Sequence, residues 1–298
     1  MVPAEQGPRA ALDEGGDEVL GARISWRPVP DTLPGGVLLP RMTAGRLYVT
    51  DDQLWFEDAL VRVLVRGTDE IWLDPRPGVE RATVAHYGYG FGASAVLLHA
   101  GRFFLHASAV GTPDGVLVVA GDSGAGKSTT CMALAGRGAR LLVDDLSPLR
   151  PVAAGVVLEP FARPVHLLDD AVDRLGLARG EEIPTDGLRG PTGKSVFRVP
   201  ADVDGAPQSV RRITVLAVDE KAGPRPEVRW LVGAERMRHL VRHSNVTGAA
   251  SFGRRAEPYF SWVSAVADRV EVVEIRRAPD VDSLEEVLDI VTGSAASG

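Results

Sequence analysis

The sequence has 298 residues, 45% hydrophobic and 24% charged, with 33 basic against 40 acidic side chains and a net charge of −7. That is the balance of a soluble globular protein of one large or two ordinary domains, and its acidity argues against nucleic acid as a partner. A single cysteine, Cys131, excludes an internal disulfide and a cysteine-built zinc site, and no apolar run nears the ~18 residues that would make a membrane a partner.

Residues 1–17 are acidic and rich in Gly and Pro, without the apolar stretch of a secretory signal. They read as a disordered tail, and the expected compartment is the cytoplasm. Residues 18–90 read as a small β-rich module. Its extended segments include Gly45–Thr50, Leu60–Val65 and Glu70–Leu73, punctuated by Pro28, Pro30, Pro34, Pro40, Pro75 and Pro77. The glycine-rich stretch from Gly88 reads as a linker feeding a helix that ends near Leu98.

Residues 91–298 carry an α/β pattern. Phe103–Val110 is an expected strand, and Thr112-Pro-Asp-Gly115 marks a hairpin. Val116–Ala120 is a continuous apolar run, as in a strand buried on both faces. A helix is expected over Lys127–Gly136 with Gly138 beyond its end, then a strand over Ala139–Val143. Further strands are expected at 155–158, 195–199, 213–218, 228–232 and 270–275. Helices are expected at 235–242 and 259–268, and a last one opens on a Ser283-Leu-Glu-Glu286 capping box. Residues 185–194 read as a mobile loop.

The chemistry concentrates at Gly121-Asp122-Ser123-Gly124-Ala125-Gly126-Lys127-Ser128, followed by Thr129. This fits G-x-x-x-x-G-K-[ST] at every defined position, with a buried strand before it and a helix after. Glycines permit positive φ and close approach of the backbone to a phosphate. Successive N–H groups then form an anion nest at the positive end of a helix. Lys127 is placed to reach the β- and γ-phosphates, and the Ser128 hydroxyl to ligate Mg²⁺. Asp144 and Asp145 end the next apolar strand, in the manner of a Walker B pair. Adjacency of the two parallel strands is expected to return them to the loop. One carboxylate suits a metal and the other a proton from an attacking hydroxyl. His239 and His243 stand four apart on a helix without a third ligand and read as a solvated face. Cys131 reads as a small core residue.

Leu105-His106, the glycine loop, and Arg137-Gly-Ala-Arg-Leu-Leu-Val-Asp-Asp145 together resemble the catalytic core of HPr kinase/phosphorylase. That family shares its nucleotide-binding fold with ATP-dependent phosphoenolpyruvate carboxykinase. The resemblance implies an α/β P-loop core with a mostly buried mixed sheet, preceded by the β-rich module. It implies ATP and Mg²⁺ as cofactors, Asp144 as general base, Asp145 and Ser128 as metal ligands, and His106 beside the reacting phosphate.

The family's Glu-Ile-Arg-Gly-Leu-Gly run, tied to the phosphorylase reaction, is absent. Leu158-Glu-Pro-Phe-Ala-Arg163 stands in its place, so Glu159 is an expected metal ligand and Arg163 an expected phosphate contact. The layout is similar to an HPr-kinase-related branch that includes lasso-peptide tailoring kinases. Its markers here include Leu105–Val110, Pro160–Pro164, Gly193-Lys194 and His243-Ser244. Lys194 is expected to reach the transferred phosphate.

The expected function is kinase action on a serine-type hydroxyl of a peptide or protein, such as a lasso-type precursor. A small-molecule hydroxyl kinase on the same core and a non-catalytic nucleotide-binding module remain open, as does assembly into a homo-oligomer.

Overall fold

The computed structural model describes residues 18–40, 45–161, 164–168, 194–198, 205–244, 247–279 and 283–293. The expected tail 1–17, Arg163, and residues 185–193 of the expected loop lie outside them.

Seven strands open the chain: β1 (Glu18–Val19), β2 (Ala22–Trp26), β3 (Val37–Leu39), β4 (Arg46–Val49), β5 (Gln53–Glu57), β6 (Val61–Arg66) and β7 (Glu70–Pro75). They form one sheet in the order β1-β2-β7-β6-β5-β4-β3, antiparallel except for β2 beside β7. The period of two sorts their side chains. Ile24, Leu47, Phe56, Val63, Ile71 and Leu73 enter the main core, while Trp55 and Leu64 cover Val29 and Leu33 on the other face. Glu57 is buried on β5, where Arg46, Arg62 and Arg76 surround its carboxylate.

The glycine-rich stretch is not a linker. α1 (Arg81–Tyr87), a π-helical turn over Gly88–Gly92 and α2 (Ala93–His99) run on as continuous helix. The glycines serve packing instead: a Cβ on Gly88 would lie 2.9 Å from Ile24 Cδ1, and one on Gly92 2.9 Å from Ile71 Cδ1. Helix and sheet approach too closely for side chains there.

The second, larger sheet holds β8 (Phe104–Leu105), β9 (Ala107–Thr112), β10 (Gly115–Gly121), β11 (Arg140–Val143), β12 (Ser147–Val152) and β13 (Gly155–Leu158). β14 (Pro164–Leu168) and β15 (Lys194–Arg198) pair separately with each other. β16 (Gln208–Val218), β17 (Glu227–Trp230) and β18 (Glu271–Arg277) complete the larger sheet. Its helices are α3 (Lys127–Gly136), α4 (Gly233–Ser244), α5 (Ala256–Arg269) and α6 (Leu284–Thr292). The protein is thus a mixed α/β fold with mixed sheets. Among the described residues no helix is long and apolar enough to cross a membrane.

β10 is buried on both faces, as its unbroken apolar run implies. Val116, Val118 and Ala120 enter the main core, and Leu117 and Val119 enter a second core beneath α3 and α6. The β9–β10 hairpin forms, with Thr112 opposite Gly115. The expected neighbouring of β10 and β11 does not. β10 has two edges: the hairpin partner β9 takes one and the parallel strand β16 the other. β11 therefore pairs with the outer edge of β9, one strand further out. It still runs parallel to β10, because β9 is antiparallel to both.

Two local expectations also change. The strand expected over Phe103–Val110 breaks at His106, where the chain leaves β12 as partner and joins β10 and β11. The capping box at Ser283 does not form. Ser283 is the N-cap of α6, but its buried hydroxyl makes no cap hydrogen bond and finds no partner.

Candidate functional site

β10, β16 and β18 are mutually parallel and end together at Gly121, Val218 and Arg277. In α/β sheets such carboxyl ends are where ligands sit. β11 ends at the same edge, and the antiparallel β9 begins there.

The glycine loop leaves β10 at this edge. Gly121 has φ +149, and a Cβ on it would lie 2.6 Å from the Leu216 carbonyl oxygen. Gly124 and Gly126 also have positive φ, at 81° and 95°. α3 then starts at Lys127, so the loop faces a helix N-terminus. Gly121→Ala combines backbone clash with a strained φ, so a stability loss of about 1–3 kcal/mol is expected. Urea denaturation checks it, and an unchanged midpoint would refute it.

Lys127 is buried. Its Nζ donates to the carbonyl oxygens of Gly121 (3.0 Å) and Asp122 (3.1 Å). Ser128 Oγ donates to Asp144 Oδ1 at 2.8 Å. Ser108 Oγ, from the intervening strand β9, donates to the same oxygen at 2.5 Å. The strand inserted between β10 and β11 thus does not part Asp144 from the loop: Ser128 bonds it directly, and Ser108 of the inserted strand donates to the same oxygen. Ser123 and Thr129 also lie in the loop and first helical turn, and Ala125 packs into the core beneath α3.

The two aspartates occupy different surroundings. Asp144 is 2% exposed. The Asp145 side chain is 37% exposed, and its Oδ1 stands 2.9 Å from Nδ1 of His106. Asp145 adopts φ +68, a left-handed conformation that Asp tolerates better than most residues.

The loop is also held from α4. Arg242 grips both carboxylate oxygens of Asp122, through Nε at 3.1 Å and Nη2 at 2.5 Å. Partial burial disfavours the Asp122 charge, but this hydrogen bond, with the charges of Arg242, His243 and Lys127, holds its carboxyl below the usual range. The main-chain oxygen of His243 accepts from the His106 N–H at 2.6 Å. On the opposite side Arg277 Nη2 donates to the Ala125 carbonyl at 3.3 Å.

His243 is no part of a solvated face: it is 5% exposed. Burial pushes its imidazole from 6.5 down to about 4, opposed by nearby Asp122. His239 lies beside it, with Nε2 3.7 Å from Oε1 of Glu274, a buried carboxylate that also holds Arg229 and Arg276. A depressed histidine destabilises the fold on acidification. The unfolded chain binds the proton below about 6.5 and the native one only near 4, so stability is lost as pH falls through that window. The expected loss is on the order of 3 kcal/mol. Denaturation midpoints from pH 7 to 4 should slope less steeply in His243→Asn; parallel profiles would exclude this assignment.

The remaining expected site residues stand elsewhere. Glu159 was expected at the metal, but its carboxylate accepts from Arg102 (3.0 Å) and Arg150 (2.6 Å) rather than from the loop or the aspartate pair. Lys194 opens β15, whose partner Leu168 lies outside the larger sheet. Among the described residues no group of three or more His, Cys, Asp or Glu is arranged to hold a metal by itself. Cys131 is fully buried, and burial pushes its thiol up, as a core residue requires. Sequence reasoning assigned no chemical role to Ser108, Arg242, His243 or Arg277, although Ser108 and His243 stand within the branch markers. Ser108 carries a signal, since it stands two residues from His106 on an otherwise apolar strand. The arginines come from distant elements and leave none.

The fold and site together define a mixed α/β protein with a strand–glycine loop–helix junction at a sheet edge. No protein-family model matches the chain, and no curated protein matches it. Among solved structures, the HPr(Ser) kinase/phosphatase from Coxiella burnetii is similar over 64% of this chain and 89% of that one, with 15% identity and a TM-score of 0.35. Likeness that loose assigns no activity.

Proposed function

We propose that the protein is an ATP- and Mg²⁺-dependent kinase that transfers the γ-phosphate to a serine-type hydroxyl of a peptide or protein. The observation that carries this reading is the buried Lys127 within the glycine loop, next to a Ser128 hydroxyl bonded to Asp144. A buried cation, a glycine loop and a helix N-terminus lie together, an arrangement that suits a phosphate. The acceptor class comes from the sequence resemblance around His106, the loop and the aspartate pair.

Mg²⁺ suits the donors present, which are hard oxygens: the Ser128 hydroxyl and neighbouring carboxylates. Ser128 and Asp144 would hold it, and it would neutralise charge on the phosphates. Lys127 and the loop amides bind and orient those phosphates. The acceptor oxygen then bonds to the γ-phosphorus while the bond to the β–γ bridging oxygen breaks, and ADP leaves. The hydroxyl proton needs a base that the acceptor can reach. Exposure favours Asp145, oriented by His106, over the buried Asp144 to which the resemblance gave this role. Such a reaction asks for positioning and electrostatics more than covalent chemistry.

Transfer of label from γ-labelled ATP with Mg²⁺ to HPr, to a panel of serine-ended peptides and to free serine tests the reading. Label on a peptide or protein supports it. Label on free serine alone replaces the acceptor class with a small molecule. Tight nucleotide binding with no transfer to any of them counts against this acceptor assignment.

A further inference from the structure

α4 ends in three consecutive ties. Arg242 grips the Asp122 carboxylate, His243 O accepts from His106 N–H, and Ser244 Oγ hydrogen-bonds with Tyr259 Oη (2.7 Å) and donates to Leu240 O (2.6 Å). Ser244 and Tyr259 are buried, so the helix end is anchored in the core while Arg242 reaches out to the loop. Asp122 consequently carries two cations, Lys127 on its carbonyl and Arg242 on its carboxylate. Both contacts fall on a residue of the glycine loop itself.

The two contacts are unequal. Lys127 is enclosed, whereas the Arg242 and Asp122 side chains are 63% and 61% exposed. An exposed ion pair is worth little and is readily exchanged. A terminal phosphate carries more charge than a carboxylate and offers the guanidinium the same forked geometry. The Asp122 carboxylate, for its part, repels an incoming polyphosphate. Because the helix end is anchored, only the long Arg242 side chain needs to move.

We propose that Arg242 is a second phosphate-binding cation, parked on Asp122 and passed to the terminal phosphate of a bound nucleoside triphosphate. The proposal rests on the nucleotide reading above and adds a residue from outside the glycine-loop motif. Arg242 thereby distinguishes triphosphate from diphosphate, and Asp122 competes with the ligand for it.

Calorimetric titration of the full chain with MgATP and MgADP tests this in wild type, Arg242→Ala, Arg242→Lys, Asp122→Asn and the Arg242→Ala/Asp122→Asn double variant. Arg242→Ala should weaken ATP about tenfold and ADP less than about threefold, with partial recovery in Arg242→Lys. Asp122→Asn should move the other way, tightening ATP by about twofold to fivefold, and by less when Arg242 is absent, where only the direct repulsion of the carboxylate is relieved. Equal losses for ATP and ADP in both single variants would make the pair a structural clasp and overturn the proposal. In that case Lys127→Ala would still abolish binding, and the nucleotide reading would stand. Failure of the wild type to bind either nucleotide would overturn both.

Discussion

Lys127→Ala is expected to weaken MgATP binding at least about 100-fold while leaving the protein folded. The charge lies inside the loop, 8% exposed, where it donates to two main-chain oxygens. A phosphate offers the same ammonium a full opposite charge in a partly water-excluded site. Hydrogen bonds between charged groups there are worth about 1.5–3 kcal/mol each, and two of them reach the 100-fold mark. Truncation leaves the exposed Asp122 carbonyl to water but takes a donor from the buried Gly121 carbonyl, so the loss of affinity is accompanied by a stability cost of about 1–3 kcal/mol. Titration calorimetry measures the first and thermal melting the second. A variant that binds MgATP within about fivefold of wild type would remove Lys127 from the phosphate site.

Asp145→Asn should reduce phosphate transfer by about 10²–10⁴-fold with ATP affinity nearly unchanged. Asparagine keeps the size of the side chain and tolerates the φ of +68, so the backbone that turns this residue toward His106 survives. Only the capacity to take a proton disappears. Asp144→Asn should behave differently. Asp144 Oδ1 accepts from Ser108 and Ser128, and neutralising it weakens the oxygen set proposed for Mg²⁺. Its loss should fall mainly on Mg²⁺-dependent nucleotide affinity. Separate measurement of turnover and ATP binding in the two variants decides the matter. The reverse pattern, with turnover lost in Asp144→Asn and affinity in Asp145→Asn, would return the proton-accepting role to Asp144.

The parts of the site that were legible in the sequence are those with local causes. The glycine loop needs particular residues at fixed offsets, and the strand before it needs an unbroken apolar run because both faces are covered. The Pro-Asp-Gly turn names its own pairing, β9 against β10. What could not be read is which strand takes a given edge. Nothing local in Ala139–Val143 says that β10 is already flanked on both sides, and β16, which takes the second edge, comes more than 60 residues later. Gly88–Gly92 misled for a related reason. Glycine loosens a chain in isolation, but here it answers to Ile24 and Ile71 across a helix–sheet contact. The burial of His243 and the grip of Arg242 on Asp122 likewise depend on where α4 comes to rest, which no periodicity in α4 records.

The main core does not stop at the end of the seven-stranded sheet. Leu47, Val63 and Ile71 belong to the same apolar cluster as Leu97, Leu105, Val118 and Val263. Arg255 of the larger half also donates to the main-chain oxygens of Thr50 and Asp51. A boundary drawn near residue 90 by composition therefore cuts through shared interior rather than between two independent folding units. The N-terminal sheet is a wall of that shared interior: a version lacking it would uncover part of the apolar cluster to which Val118 of β10 also belongs.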